Sequence, residues 1–189
     1  DASQRMTKDI MNRAYITPKR IVTKYAGCKN NLIKDEHYLL ERGNGQSEMN
    51  RKKCCIMTST ETEKASLLLD FGSELHGGLK LVMGSSSRRE PSLVRIRFGE
   101  SVGEANSTTS NTEWKVGFST DDHAKRDIIM EIPRDGMIEI GNTGFRFVRL
   151  DLLQNNATIS LKEISAILRY RDIPYLGSFE CNDQRLNKI

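Results

Sequence analysis

From Lys52 onward the chain consists of short apolar runs that alternate with period two and are broken by turns. That alternation constrains the fold more than any other feature, because a period of two puts one side of a strand toward a core and the other toward water. Cys54-Cys55-Ile56-Met57-Thr58 is one such run, and Leu67-Leu68-Leu69-Asp70-Phe71 is the next. Leu79, Leu81 and Met83 alternate with an outward Lys80, and Val94, Ile96 and Phe98 alternate with Arg95 and Arg97. Ile128, Met130 and Ile132 follow, then the turn Pro133-Arg134-Asp135-Gly136, where Pro fixes φ and Gly allows it above zero. Ile138, Ile140 and the run from Phe145 to Leu152 continue the pattern.

The final run, Thr158 to Arg171, slips phase: Ile159 and Leu161 are odd, whereas Ile164, Ala166, Leu168 and Tyr170 are even. One extra residue near Lys162-Glu163, a β-bulge, restores the facing. A succession of short strands without a long helix predicts an all-β fold, an antiparallel β-sandwich of the jelly-roll or galactose-binding-like kind.

The expected organisation is an irregular segment over 1–50 packed on the sandwich, a β-sandwich over 51–175, and a linker over 176–189 that begins a further helical domain. Within the first segment, Pro18-Lys19-Arg20-Ile21-Val22 and His37-Tyr38-Leu39-Leu40 are expected as short strands. At the other end, Asn182-Asp183 are good N-cap types ahead of Leu186 and Ile189 at helical spacing. A helix of two turns is marginal alone and needs a partner.

The net charge is +4, but the basic residues are scattered and form no strip interleaved with aromatics, which argues against nucleic acid. No apolar stretch reaches the roughly 18 residues of a membrane helix. The four cysteines, Cys28, Cys54, Cys55 and Cys181, fit no zinc or redox spacing and are expected as free thiols, with one disulfide as the alternative.

Four features bear on chemistry. Gly99-Glu100-Ser101-Val102-Gly103 matches the G-x-S-x-G nucleophile elbow, yet the residues after it are poor helix formers and the pattern around it is all β, so chance explains it better. Asp121-Asp122-His123 with Arg126-Asp127 concentrates carboxylates and an imidazole in a long polar loop. That cluster suits sugar hydroxyls or a cation, or simply a loop in which Asp122 or Asp127 holds Arg126. Trp114, the single tryptophan, offers an indole for stacking on a pyranose or a loop anchor. His76 and Glu74, between strands in Phe71 to Gly78, face either a ligand or a turn.

Taken in order, several stretches resemble the amino-terminal region of bacterial α-L-rhamnosidases and related glycoside hydrolases. They are Pro18 to Val22, Leu69 to Gly78, Val94 to Ser101, Asp121 to Asp127, Gly141 to Arg149 and Gly177 to Ile189. The resemblance implies β-sandwich domains ahead of an (α/α)6-barrel that carries the inverting acid–base pair. Such a pair stands roughly 6.5–9.5 Å apart across the glycosidic bond. By this resemblance the chain holds no catalytic residue itself and is an accessory module of a periplasmic or extracellular hydrolase. Its implied partners are its own catalytic domain and a saccharide containing α-L-rhamnose or a related sugar. The candidate carbohydrate-binding residues are Trp114, Asp121, Asp122, His123 and Arg126. No cofactor is expected, although a structural calcium ion is compatible with sandwiches of this kind, with Glu163 and carbonyls near the bulge as ligands. An autonomous carbohydrate-binding module is the alternative reading.

Overall fold

The computed structural model describes residues 11–47, 52–87, 89–107, 126–171, 173–174 and 176–188. The chain divides into two compact units, one of residues 13–169 and one of residues 1–12 with 170–189. The larger unit is built from antiparallel strands. They are β1 (Met11–Ile16), β2 (Arg20–Tyr25), β3 (Ile33–Lys34), β4 (Cys55–Thr58), β5 (Ser66–Ser86) and β6 (Ser92–Gly99). A short helix α1 (Val102–Asn106) precedes β7 (Asp127–Ile132), β8 (Gly136–Leu152) and β9 (Thr158–Arg171).

Two long strands make the sandwich. The first half of β5 lies between β2 and the second half of β8, with β6 and β7 beyond. Its second half lies between the first half of β8 and β9, with β4 and β3 beyond, and β1 also pairs with β9. β5 and β8 therefore stay paired while they pass from one layer to the other. The passage is made at glycines: Gly72 (φ 92°) and Gly141 (φ 88°) adopt a backbone that L side chains resist. A Cβ on Gly141 would also stand 2.8 Å from the Phe98 ring.

The alternating residues fill the space between the layers. Leu67, Leu69, Phe71, Leu79, Leu81, Met83, Val94, Ile96 and Phe98 are buried in one cluster with Val148, Leu150, Ile159, Leu161 and Ile164. Phe145 centres it, edge-on to Phe71 at 5.9 Å and to Phe98 at 5.0 Å. Each such aromatic pair contributes about 0.5–1.5 kcal/mol beyond its buried area. The expected bulge is present: Val82 pairs with Glu163 and Met83 with Leu161, so Lys162 is the extra residue.

Below residue 50, β2 overlaps the strand expected at Pro18–Val22, and β1 and β3 arise there as well. Two expectations are corrected. His37–Leu40 is not a strand: Glu36–Leu40 is a 3-10 turn that follows Asp35 in a left-handed conformation (φ 58°) and buries Leu39 alone. Lys80 does not point to water. It is buried on the outer face of β5, where Glu163 and the ring of Tyr15 meet its ammonium.

The described cysteines are free thiols. Cys54 and Cys55 are both buried, and burial pushes the Cys55 thiol up to about 12, which keeps it protonated and unreactive. In the smaller unit, Asp183 accepts a hydrogen bond from the Arg185 N–H at 2.9 Å, ahead of a single 3-10 turn, Leu186–Lys188. Asn187 exchanges side-chain hydrogen bonds with the Cys181 backbone.

Candidate functional site

The G-x-S-x-G stretch does lead from a strand into a helix, contrary to the sequence expectation, and a capping signal explains it. The Ser101 hydroxyl accepts a hydrogen bond from the Glu104 N–H at 3.1 Å, and the Glu104 carboxylate accepts one from the Glu100 N–H at 2.8 Å. This is close to a Ser-x-x-Glu box, with the return bond made to the residue before the cap rather than to the cap itself. Ala105 fastens the helix to the outer face of its layer, buried with Leu68 and Phe147 and packed by Val22. At the far end Arg97 donates to the carbonyls of Asn106 and Ser107 at 3.0 and 3.3 Å, and also pairs with Asp151 at 2.6 Å. Arg149 joins Asp151 to the Asn106 side chain. Ser101 is thus a helix cap.

Arg126 lies against this helix. Its carbonyl accepts from the Phe98 N–H at 2.7 Å, which locks its backbone to the end of β6. Its guanidinium bridges Glu104 at 2.7 Å and Glu100 at 2.9 Å. Of its two expected partners, Asp122 lies outside the described residues, and Asp127 takes a bidentate contact from Arg95 instead, with Nε at 2.7 Å. Alternation explains the difference, because Arg126 precedes β7 whereas Asp127 opens it and stands across from Arg97 in register. Trp114, Asp121, Asp122 and His123 lie outside the described residues, in the connection between α1 and Arg126.

The sequence reading passed over the surroundings of Glu100. A Cβ on Gly144 would lie 3.6 Å from a Glu74 carboxylate oxygen and 3.8 Å from one of Glu100, so the two acids flank a spot where β8 has no side chain. His76 is the residue opposite Gly144 in the β5–β8 register and is exposed. The bend that carries Glu74 and His76 is fixed by Asp70. That buried carboxylate takes two bonds from Arg146 at 2.8 and 3.0 Å, one from Arg20 at 3.0 Å and one from the Gly72 N–H at 2.8 Å. The Arg146 hydrogen bond holds Asp70 well below the usual carboxylate range, against the opposing effect of burial. In sequence, the Ser101-x-x-Glu104 box was the readable signal. The convergence of Glu74 with Glu100 has none, since it depends on pairing across the sheet.

Glu74 and Glu100 thus flank a bare glycine, with Arg126 held on Glu100 and His76 opposite the glycine in register. Carboxylates accept from hydroxyls and the guanidinium and imidazole donate to them, which is the donor–acceptor set that vicinal hydroxyls require. Among the described residues, no group of three or more His, Cys, Asp or Glu side chains could hold a metal ion. Glu163, the expected calcium ligand, is engaged by Lys80 at 3.1 Å, Ser165 at 2.6 Å and the Gly45 N–H at 2.9 Å.

No family model and no curated protein matches the chain. Solved structures do. A rhamnosidase from Klebsiella oxytoca with rhamnose bound is similar over 94% of this chain and 33% of its own, with a TM-score of 0.62 at 15% identity. A GH78 family rhamnosidase of Bacillus sp. GL1 is similar over 71% of this chain and 13% of its own, with a TM-score of 0.51 at 18% identity. The C-terminal domain of a chitobiase from Bacteroides fragilis is covered over 100% of its length, with a TM-score of 0.50 at 10% identity. At these identities the likeness establishes the fold, a β-sandwich of the galactose-binding-like kind. The chain spans a third or less of either rhamnosidase.

Proposed function

We propose that this chain is a non-catalytic β-sandwich module of an α-L-rhamnosidase-like glycoside hydrolase, acting outside the cytoplasm. In this reading it packs on an (α/α)6 catalytic domain and helps to shape its saccharide cleft. The observation that carries it is the likeness to the Klebsiella oxytoca rhamnosidase over 94% of this chain and only a third of that one. The surface formed by Glu74, His76, Glu100 and Arg126 supplies the contacts to saccharide hydroxyls, together with Trp114, Asp121, Asp122 and His123 from the adjoining connection. No hydrolytic step is assigned to it, because the nucleophile-like Ser101 serves as a cap.

Hydrolysis of an aryl α-L-rhamnoside, assayed side by side for this chain and for the full-length parent, tests the reading. Activity in the parent alone is expected. Activity in the isolated chain, or in neither protein, overturns it.

The chitobiase match favours a second reading, because there the comparable sandwich is a whole domain. As an autonomous carbohydrate-binding module, the isolated chain would change its single-tryptophan fluorescence on titration with L-rhamnose or its oligosaccharides. Arg126→Ala would weaken that response roughly tenfold, the scale of one charge-assisted hydrogen bond.

A further inference from the structure

The other layer of the sandwich carries a feature that the rhamnoside reading does not use. A shallow cleft of about 290 Å³ is lined by Tyr38, Glu41, Arg42, Asn44, Lys53 and Lys162, with Gly43 in its wall. Three separate segments supply its cations. Arg42 comes from the loop after the 3-10 turn. Lys53 precedes β4 and holds a left-handed conformation (φ 51°), which costs a non-glycine residue roughly 1–3 kcal/mol and is often found at binding sites. Lys162 is the bulge residue of β9, and a bulge turns its extra residue out of the ladder.

The wall is held from below. The buried Glu163 carboxylate accepts from the Gly45 N–H, and a Cβ on Gly43 would stand 2.1 Å from one of its oxygens. The loop is therefore seated directly on a carboxylate that is itself paired with Lys80. Among the described residues, neither Arg42 nor Lys53 has a carboxylate partner. Cations gathered in a concavity focus positive potential there.

We infer that this cleft binds the anionic group of an acidic saccharide, a uronate carboxylate. The lining separates this ligand from a bare oxyanion. The planar fork of Arg42 matches a carboxylate. Glu41 and the Asn44 amide accept from and donate to hydroxyls, and Glu41 repels a multiply charged phosphate more strongly than a singly charged uronate. The exposed side of Tyr38 offers an apolar surface to a pyranose ring. The volume lies near the lower end of small-ligand pockets, roughly 300–1,000 Å³, and suits a sugar unit rather than a polymer groove.

The test is a titration of the isotope-labelled 189-residue chain with D-galacturonate, followed by NMR, with L-rhamnose and inorganic sulfate as comparison ligands. Galacturonate is expected to shift the amides of residues 38–44, 53 and 162. Binding should weaken roughly tenfold in Arg42→Ala/Lys53→Ala and severalfold when salt is raised from about 20 to 200 mM. Both side chains are exposed, so the double variant should keep its melting temperature, measured in parallel. Galacturonate shifts elsewhere, or binding unchanged by the double variant, would overturn the inference. Sulfate binding as tight as galacturonate would do the same, since it would reveal a plain oxyanion site. The outcome is independent of whether the parent hydrolyses rhamnosides.

Discussion

Two charge clusters in this sandwich use the same chemistry under opposite conditions. Lys80 and Glu163 pair beneath the 41–47 loop with their side chains 7% and 6% exposed. Arg126 pairs with Glu100 and Glu104 at the rim, where the carboxylates are 49% and 37% exposed. Breaking a buried pair leaves a charge with neither partner nor water, whereas an exposed pair is replaced by water at little cost. The first cluster therefore builds the fold and seats a loop. The second stays in contact with water, as the proposed saccharide surface requires.

The sharpest way to break this contrast is Glu163→Ala. It strands the Lys80 ammonium and should destabilise the protein by about 3–5 kcal/mol in urea unfolding. The double variant Lys80→Met/Glu163→Leu should recover most of that loss, because it removes both charges and keeps the volume. If the single variant cost no more than an exposed pair, burial would not be what distinguishes the clusters.

Asp70→Asn probes an intermediate case, a buried acid whose two arginine partners reach solvent. A loss of about 2 kcal/mol is expected, since the Arg146 and Arg20 bonds lose their charge while hydrogen bonding persists in part.

Acid titration extends the comparison. Burial alone would raise the Glu163 pKa, but hydrogen bonds from Ser165 and Lys80 leave it lowered, and Arg146 lowers that of Asp70 further. For a lowered carboxylate, the stability it contributes is complete above the unfolded value, near about 4, and is lost as pH falls through the folded value. Denaturant midpoints should therefore drop below about pH 4, and Asp70→Asn should flatten that limb.

The smallest effect belongs to Arg126→Ala, which should change unfolding free energy by no more than about 1 kcal/mol and less at high salt. A loss above 2 kcal/mol would make the rim a structural cluster and weaken its case as a saccharide surface.

Much of the fold was legible because strand faces are a local property. Leu79, Leu81 and Met83, or Val94, Ile96 and Phe98, announce their inward side by spacing alone. The slip at Lys162-Glu163 was readable for the same reason, as an arithmetic fault in that spacing. Where a single buried residue replaced an alternation, as Leu39 does, the reading failed.

The candidate site was less legible. Charge around residue 126 was visible in the sequence, but the acids that Arg126 meets, Glu104 and Glu100, lie 22 and 26 residues away. Glu104 carried an unread signal, its distance from Ser101, whereas Glu74 reaches Gly144 only through the pairing of β5 with β8.

The sequence by itself therefore determined the inward faces of the strands after Lys52 and the position of the bulge, since each depends on residues within a few places of one another. Only the tertiary structure decided that Lys80 is buried on Glu163, that Arg126 holds Glu100 and Glu104, and that Lys162 shares a cleft with Arg42 and Lys53. Those pairings join segments far apart in the chain, and charge has no period that would announce its partner.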